Sequence, residues 1–164
     1  MPDRHRLTAR ESRGRNMTAK LKPNVERGEI EALFARLIKA HAERDATAIV
    51  DACTPDAVVF DLAPPLVRHG LNRDEIAAWL ASWDGPLLIE ASNAELTVHG
   101  DLAFSTALNR MRGRKGGEDQ DLWFRSTICL KKTDGRWRIV HDHASVPFYM
   151  DGSYRAAVDL QPAG

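Results

Sequence analysis

The sequence lacks the features that mark several special classes of protein. Its 164 residues include only two cysteines, Cys53 and Cys129, without metal-type spacing, so the chain is not a disulfide scaffold. No apolar run approaches the roughly 18 residues that a membrane span needs. The 23 basic and 23 acidic residues balance, which argues against general binding to nucleic acid or to a membrane surface. These absences favour a cytoplasmic globular protein with reduced thiols and with neither nucleic acid nor membrane as a partner.

The first residues differ in composition from the rest of the chain. Residues 1–16 contain five arginines against Asp3 and Glu11, and almost nothing apolar. No apolar stretch follows that would make this segment a secretory signal. We therefore predict a disordered basic arm over residues 1–23. One folded domain over residues 24–164 follows, long enough to bury a substantial core.

Three helices are predicted in the first half of this domain. The segment 26–44 repeats apolar residues at the spacing of one helical stripe, which ends in a histidine: Ile30, Leu33, Phe34, Leu37, Ile38 and His41. Asp45 is suited to cap a short second helix over residues 46–53. Asn72 with Glu75 resembles a capping box at the start of a third helix. The buried stripe of that helix would consist of Ile76, Trp79, Leu80 and Trp83.

Strands dominate the second half. An apolar strand over residues 57–62 closes on Asp61, and a short return strand over residues 67–69 follows Pro64-Pro65. From Leu87 the hydrophobic period changes to two, which predicts three or four strands within residues 87–99, 102–112, 122–132 and 137–146. Helices followed by an antiparallel meander indicate an α+β fold, with the helices on one face of a bent sheet. Such a sheet would enclose a hollow for a small molecule, and a second copy would cover its other face.

Three segments carry a resemblance to a known superfamily. They are LIKAHAERDATAIV in the first helix, the strand AVVFDLAPPL and the hairpin TDGRWRIVHDHASVPF. From about Val25 to Pro162 the chain resembles the nuclear transport factor 2-like superfamily, especially its SnoaL-like and ketosteroid-isomerase-like branches. The hairpin also resembles the association domain of calcium/calmodulin-dependent protein kinase. The resemblance implies a cone-shaped α+β fold, with N-terminal helices packed on a strongly curved antiparallel sheet. It leaves the activity open, because this fold hosts isomerases, dehydratases, cyclases, hydrolases and inert hubs.

Asp61 is the first candidate catalytic residue. The resemblance places it where the ketosteroid isomerases hold the aspartate that moves a proton between substrate carbons, a role that needs a carboxylate in a mostly apolar pocket. The sequence departs from those isomerases at both oxyanion donors, because the tyrosine position carries Leu37 and the acid position falls near Thr127 or Ile128. True steroid isomerisation is therefore not expected. The residues alone leave a second role open, in which Asp61 accepts backbone hydrogens at the strand end and holds the Pro-Pro turn.

The sequence His141-Asp142-His143 supplies further candidates. Alternation along a strand puts Asp142 on one face and both histidines on the other. In the preferred arrangement Asp142 faces the hollow together with Asp61, so that one of the two carboxyls has a raised pKa and acts as an acid. The histidines then belong to an interface on the other face, whereas a bulge would turn them inward instead. A His-x-His pair can also begin a metal site, but no third ligand is evident and no metal is predicted.

Four more residues are candidate binding residues. Arg125 lies beside aromatic residues and could bind a carboxylate ligand, or could pair with an acid such as Asp142. Asn109 and Arg110 alternate along the neighbouring strand, so one of them should face the hollow. Trp83 is expected in the core or in the pocket wall.

Two functions remain open from the sequence. One is proton transfer by Asp61, assisted by Asp142 or Arg125, in an isomerase, dehydratase or cyclase that uses no cofactor and acts on a small apolar or carbonyl-bearing molecule. The other is a non-catalytic ligand-binding or oligomerisation module, whose hairpin face builds a homodimer or a larger ring. The missing oxyanion donors favour the module, and the acidic pair favours the enzyme.

Overall fold

The computed structural model describes the backbone of residues 9–163 and the side chains of residues 24–163. Its helices are α1 (Ala9–Glu43), α2 (Ala46–Asp51) and α3 (Arg73–Ala81). Its strands are β1 (Cys53–Phe60), β2 (Arg68–His69), β3 (Leu88–His99), β4 (Leu102–Lys115), β5 (Glu118–Thr133) and β6 (Arg136–Ser145). The three helices and the long C-terminal strands confirm the α+β fold predicted from the sequence.

Side chains cap the two short helices as expected. The carboxylate of Asp45 accepts from the Ala48 backbone N–H at 3.0 Å, and the Asn72 side chain accepts from the N–H groups of Asp74 and Glu75. The Glu75 carboxylate does not return to the cap, because it pairs with the Arg68 guanidinium at 2.7 Å.

Helix α2 ends earlier in the chain than the sequence predicts. The helix stops at Asp51, and β1 already begins at Cys53. The carbonyl of Ala52 accepts from the Ile139 N–H of β6 at 2.9 Å. This bond starts the pairing of β1 with β6, so Cys53 joins the sheet and not the helix.

The sheet has six strands in the order β2-β1-β6-β5-β4-β3. Adjacent strands are antiparallel except β1 and β6, which run parallel, so the sheet is mixed where an antiparallel one was expected. The parallel pair places Val59 of β1 beside Asp142 of β6. A register shift between Cys129 and Leu130 marks a bulge where β5 pairs with β6.

The helices lie on one face of the sheet and share two hydrophobic clusters with it. The first cluster joins Ile30 and Leu33 of α1 to Ala103, Leu130, Trp137 and Ile139 of the sheet. The second joins the three helices to the segment between α3 and β3, through Ala40, Ala46, Ile49, Leu80, Trp83 and Leu87. Leu37 packs against both clusters. A polar contact fixes α1 further, because Glu26 accepts from Lys132 and from the Trp137 indole, each at 2.7 Å.

The start of α1 bears on the predicted N-terminal arm and on the predicted domain boundary. The helix begins at Ala9, inside the segment expected to be an arm. Residues 1–8 lie outside the described residues. The boundary near residue 24 therefore stays a prediction. Among the described helices, none combines the length and the apolar character that crossing a bilayer requires.

Candidate functional site

Asp142 is the carboxyl group that the fold turns inward. It lies opposite Ile128 of β5, and directly opposed residues share one face of a sheet. Ile128 packs against the core cluster under α1, so this face is the one that the helices cover. Asp142 is partly buried there. The structure thus confirms the preferred orientation, with Asp142 and not the histidines on the helix-covered face.

Burial and a neighbouring charge change the acidity of Asp142. Burial is the larger cause, and the negative charge of Asp61 adds to it, so that together they raise the pKa of Asp142 to about 6 against a partial opposing effect of His141. The same surroundings affect Cys53 of β1, because burial, with a contribution from the charge of Asp142, raises the pKa of that thiol to about 12. Asp142 is therefore a carboxyl group that can hold a proton in mildly acidic solution, whereas Cys53 stays an inert thiol.

Asp61 lies outside the enclosed part of the fold. The strand β1 ends at Phe60, so Asp61 begins the loop that contains the cis Pro64-Pro65 bond, and its side chain is exposed. One carboxylate oxygen accepts from the Leu62 backbone N–H at 2.7 Å. This geometry matches the structural role at the strand end. It differs from the expectation that Asp61 projects into the hollow, and Asp142 takes the inward position instead.

The two histidines of β6 lie on the opposite face and enclose the ring of Phe60. His141 and His143 meet that ring edge-on, with centroids 5.1 and 5.5 Å away. His141 Nδ1 also donates to the Val58 carbonyl at 2.8 Å. Within the part of the chain that the structure describes, no group of three or more His, Cys, Asp or Glu side chains is arranged to hold a metal ion. On this outer face the histidines pack against Phe60.

Arg125 shares the outer face with His143. Its Nε donates to the Ser145 hydroxyl at 3.0 Å, and Arg125 lies opposite Ser145 across β5 and β6. Since Asp142 lies opposite Ile128, three residues further along β5, Arg125 and Asp142 face opposite sides of the sheet. The expected pairing of Arg125 with Asp142 is therefore wrong. Arg125 and His143 instead border a recess of about 400 Å³ on the outer face.

Asn109 and Arg110 divide between the two faces of β4, as alternation requires. Asn109 is buried, and its amide donates to the Ser126 hydroxyl at 2.8 Å. Arg110 points outward, binds Asp121 through two hydrogen bonds of 2.8 and 2.6 Å, and lies 5.8 Å from the ring centre of Trp123. Asn109 is thus the inward member of the pair, and the guanidinium of Arg110 is already occupied.

Trp83 forms part of the wall between the helices and the sheet. It is 5% exposed and meets Trp79 edge-on with centroids 6.3 Å apart, as expected for a core or wall residue. Its indole N–H is buried without a hydrogen-bond partner among the described residues. A donor of this kind next to a ligand would be available to a carbonyl oxygen.

His41 is a polar residue of α1 whose side chain points into the fold. The sequence predicts it only as the last residue of the apolar stripe of this helix. Its ring meets Trp79 edge-on at 6.2 Å, and its Nδ1 donates to the Leu37 carbonyl at 2.7 Å. Burial lowers the pKa of His41, against a smaller raising effect of the Leu37 carbonyl, so the ring is neutral at pH 7. Its signal in the sequence was a histidine on the buried face of α1, one turn after Leu37.

The sequence predicts a pocket that contains Asp61 and Asp142. The recesses of the structure lie elsewhere. One recess of about 870 Å³ lies between α1, the start of β1 and the turn before β6. Neither it nor the outer-face recess is bordered by Asp61 or Asp142. Asp142 lies instead between Val59 of β1 and Ile128 of β5, and Ile128 packs against the core cluster under α1.

Comparisons with known proteins agree with this architecture. The profile of a family described as SnoaL-like domain matches residues 30–149. A nuclear transport factor 2-like protein of unknown function from Pseudomonas putida is similar with a TM-score of 0.76 and 29% identity, over 85% of this chain and 98% of that chain. No curated protein matches the chain by sequence.

Two further solved structures resemble the chain in fold. A candidate calcium/calmodulin-dependent protein kinase II association domain from Xanthomonas campestris has a TM-score of 0.60 and 24% identity, over 71% of this chain and 84% of that chain. A candidate ketosteroid isomerase from Shewanella frigidimarina has a TM-score of 0.56 and 21% identity, over 70% of this chain and 92% of that chain. Together with the family match, these similarities confirm the superfamily expected from the sequence.

Proposed function

Since this chain belongs to the SnoaL-like domain family, we propose that it binds a small apolar or carbonyl-bearing molecule beside Asp142 and transfers protons on it. The observation that carries the proposal is the inward carboxyl group of Asp142, whose pKa is raised to about 6. A protonated carboxyl group is a strong hydrogen-bond donor, and enzymes keep one neutral by placing it in an apolar environment. The ketosteroid isomerases use such an acid to stabilise an enolate. Asp142 would take the place of that oxyanion donor in this chain.

The register of the sheet supports this substitution. The resemblance placed the missing isomerase acid near Thr127 or Ile128, and Ile128 lies directly opposite Asp142 on the neighbouring strand. A carboxyl group on β6 would therefore reach the same side of the sheet as one at Ile128. The other missing donor, the tyrosine replaced by Leu37, has no counterpart in this arrangement.

The proposed reaction uses Asp142 as its acid. Asp142 donates its proton to the substrate carbonyl oxygen while a water molecule removes a proton from the adjacent carbon, which yields an enol. Return of a proton to a different carbon, with the enol proton going back to Asp142, gives an isomer. Alternatively, a hydroxyl group on the next carbon takes up the proton that water removed and leaves as water, while the enol proton returns to Asp142, which gives a dehydrated product. Asp61 acts through its charge, which helps to keep the proton on Asp142. No step requires a cofactor.

The test is enolisation by matched variants. The full chain is incubated with cyclic enones in deuterated water, and exchange of the protons next to the carbonyl is followed by NMR. Asp142→Asn should reduce exchange by roughly 100-fold or more, the usual contribution of a positioned proton donor. Asp61→Asn removes a charge that helps to keep Asp142 protonated, and should reduce exchange by less. Asp119→Asn, an exposed carboxylate at the β4–β5 hairpin, is the control. Equal exchange in all variants with unchanged circular dichroism would contradict the proposal.

A second candidate function is that of a non-catalytic module that forms a homodimer. The outer sheet face exposes two phenylalanines, Phe60 and Phe104, which are 39% and 47% accessible in the single chain. The histidines around Phe60 belong to the same face. An apolar face of this kind is commonly covered by a second copy. This assembly is compatible with proton transfer and does not require it, and the two free thiols fit the expected cytoplasmic location.

A further inference from the structure

The larger recess is an open groove along α1. It has a volume of about 870 Å³ and lies between α1, the junction of α2 with β1, and the turn from β5 to β6. That volume lies within the range of sites that bind small molecules. Neither Asp61 nor Asp142 lines the groove. We call it the α1 groove.

Apolar side chains form the floor of the α1 groove. Leu33 and Trp137 are each only 5% exposed, and both belong to the core cluster under α1. Leu37 and Cys53 continue this surface as partly buried residues. A ligand with an apolar body would therefore bury its surface against a rigid wall that the core already holds in place.

Arginines supply the polar part of the groove. Arg36 of α1 borders the groove on one side. Arg136 and Arg138 flank Trp137 and border the groove where β6 extends beyond its pairing with β1. Within the described part of the chain none of the three has an ion-pair partner. Guanidinium groups bind carboxylate and phosphate oxygens through pairs of parallel hydrogen bonds.

Two acids also line the groove, and they do not cancel the arginines. Glu29 is neutralised by Lys132, whose Nζ lies 2.7 Å from its carboxylate. This leaves Asp51, at the end of α2, against three guanidinium groups. The groove thus carries an excess of positive charge in a chain whose formal net charge is zero.

A buried hydroxyl group gives an independent sign that a polar partner belongs in the groove. Thr54 lines it, and its Oγ1 is buried without a hydrogen-bond partner among the described residues. A buried polar atom in this state costs free energy unless something binds to it. Rotation of the Thr54 side chain about its Cα–Cβ bond would turn this hydroxyl toward the groove, where an oxygen atom of a ligand held by the arginines would satisfy it.

We infer that the α1 groove binds an amphipathic organic anion, in which a carboxylate or phosphate head lies between Arg36, Arg136 and Arg138 and an apolar body covers Leu33 and Trp137. The basic N-terminal segment is a poor occupant, because residues 1–23 contain seven Arg and Lys residues against two acids. This site does not depend on proton transfer at Asp142.

The test is calorimetric titration of the full chain with four probes. Octanoate and octyl phosphate carry both features, octan-1-ol lacks the charge, and acetate lacks the apolar body. Octanoate or octyl phosphate should bind saturably with at least tenfold higher affinity than octan-1-ol or acetate. Equal affinity for octanoate and octan-1-ol, or no binding of either amphipathic anion, would overturn the inference.

Variants locate the binding. Arg36→Gln, Arg136→Gln and Arg138→Gln should each weaken binding roughly tenfold, as expected for loss of a charge-assisted hydrogen bond. Arg114→Gln, at the β4–β5 hairpin, is the matched control and should bind like the unmodified chain. Unchanged affinity in the triple Arg36/Arg136/Arg138 variant would show that the head does not bind there.

Thr54→Val separates binding from stability. Replacing the unpartnered hydroxyl with a methyl group should leave the melting temperature of the free protein unchanged or raise it, and should still weaken binding of the anion. Asp142→Asn should leave the affinity unchanged. Loss of binding in Asp142→Asn with full binding in the arginine variants would place the anion in the interior and contradict the inference.

Discussion

At the scale of single residues, the last strand decides where a proton can be held. His141 and His143 lie outward around Phe60, whereas Asp142 lies inward beside Ile128. The period of two makes this division predictable from the sequence. The sequence does not show which of the two faces the helices cover. The packing of α1 decides this, because a bulge between Cys129 and Leu130 shifts the register on the same pair of strands.

The raised pKa of Asp142 predicts a pH-dependent stability. Its pKa in the folded protein is about 6, above the ordinary 3.8, so the folded state binds the proton more tightly than the unfolded chain. The free energy of unfolding should therefore fall as pH rises from about 4 to about 6. Asp142→Asn removes this loss and should be more stable than the unmodified chain above pH 6, by at most about 3 kcal/mol. Urea unfolding at pH 4 and pH 7 measures the difference.

The control for this prediction is Asp121→Asn on the outer face. The Arg110 guanidinium lowers the pKa of Asp121, so the sign reverses. That carboxylate contributes stability above its unfolded pKa, which is lost as pH falls, and its removal should be harmful at pH 7 and neutral in strong acid. A stability difference for Asp142→Asn that does not vary with pH would contradict the assignment.

At the scale of elements, the short hairpin of β1 and β2 depends on a glycine. Gly70 has φ of +71° and donates to the Ala57 carbonyl at 2.7 Å, and a Cβ there would lie 2.3 Å from the Pro55 carbonyl oxygen. Gly70→Ala should therefore lower the free energy of unfolding by more than the roughly 1 kcal/mol of left-handed strain alone. Chemical denaturation measures the loss.

Gly100→Ala is the matched comparison. Gly100 has φ of +59°, but a Cβ at that position meets nothing within 4 Å. Both substitutions introduce left-handed backbone strain, but only Gly70→Ala introduces a steric clash. Gly70→Ala should therefore be the more destabilising change. Equal losses would mean that the β1–β2 hairpin moves freely enough to admit a methyl group.

The elements show what sequence patterns could and could not establish. Helical periodicity and the caps at Asp45 and Asn72 placed the helices, because these signals are local. The parallel pairing of β1 with β6 was not predictable, since it joins segments more than 80 residues apart. That pairing ends β1 at Phe60, and so leaves Asp61 exposed and Asp142 as the inward acid. The α1 groove was missed for the same reason, because its arginines come from α1 and β6.

At the scale of the whole molecule, the uncovered outer face predicts a dimer. Phe104 lies near the start of β4, between Thr97 of β3 and Cys129 of β5, and is 47% exposed. A charge there should abolish association through this face, because an unpaired carboxylate in an apolar interface is costly. Light scattering after gel filtration should give a dimer for the unmodified chain and a monomer for Phe104→Glu.

A control away from this face separates the dimer interface from general surface effects. Val25→Glu changes a residue that is 58% exposed on α1, which packs against the opposite face of the sheet. It should leave the dimer intact. A monomeric mass for the unmodified chain at micromolar concentration would contradict the predicted assembly, without affecting the proposal for Asp142.

The most direct measurement for the whole account is the titration of the Asp142 carboxyl group by carbon-detected NMR on the full chain. We predict a midpoint near pH 6, because burial and the charge of Asp61 both oppose ionisation, and a lower midpoint in Asp61→Asn. A midpoint near pH 4 that does not respond to Asp61→Asn would show that the carboxylate is solvated and independent of its neighbour, and would contradict an acid held inside this fold.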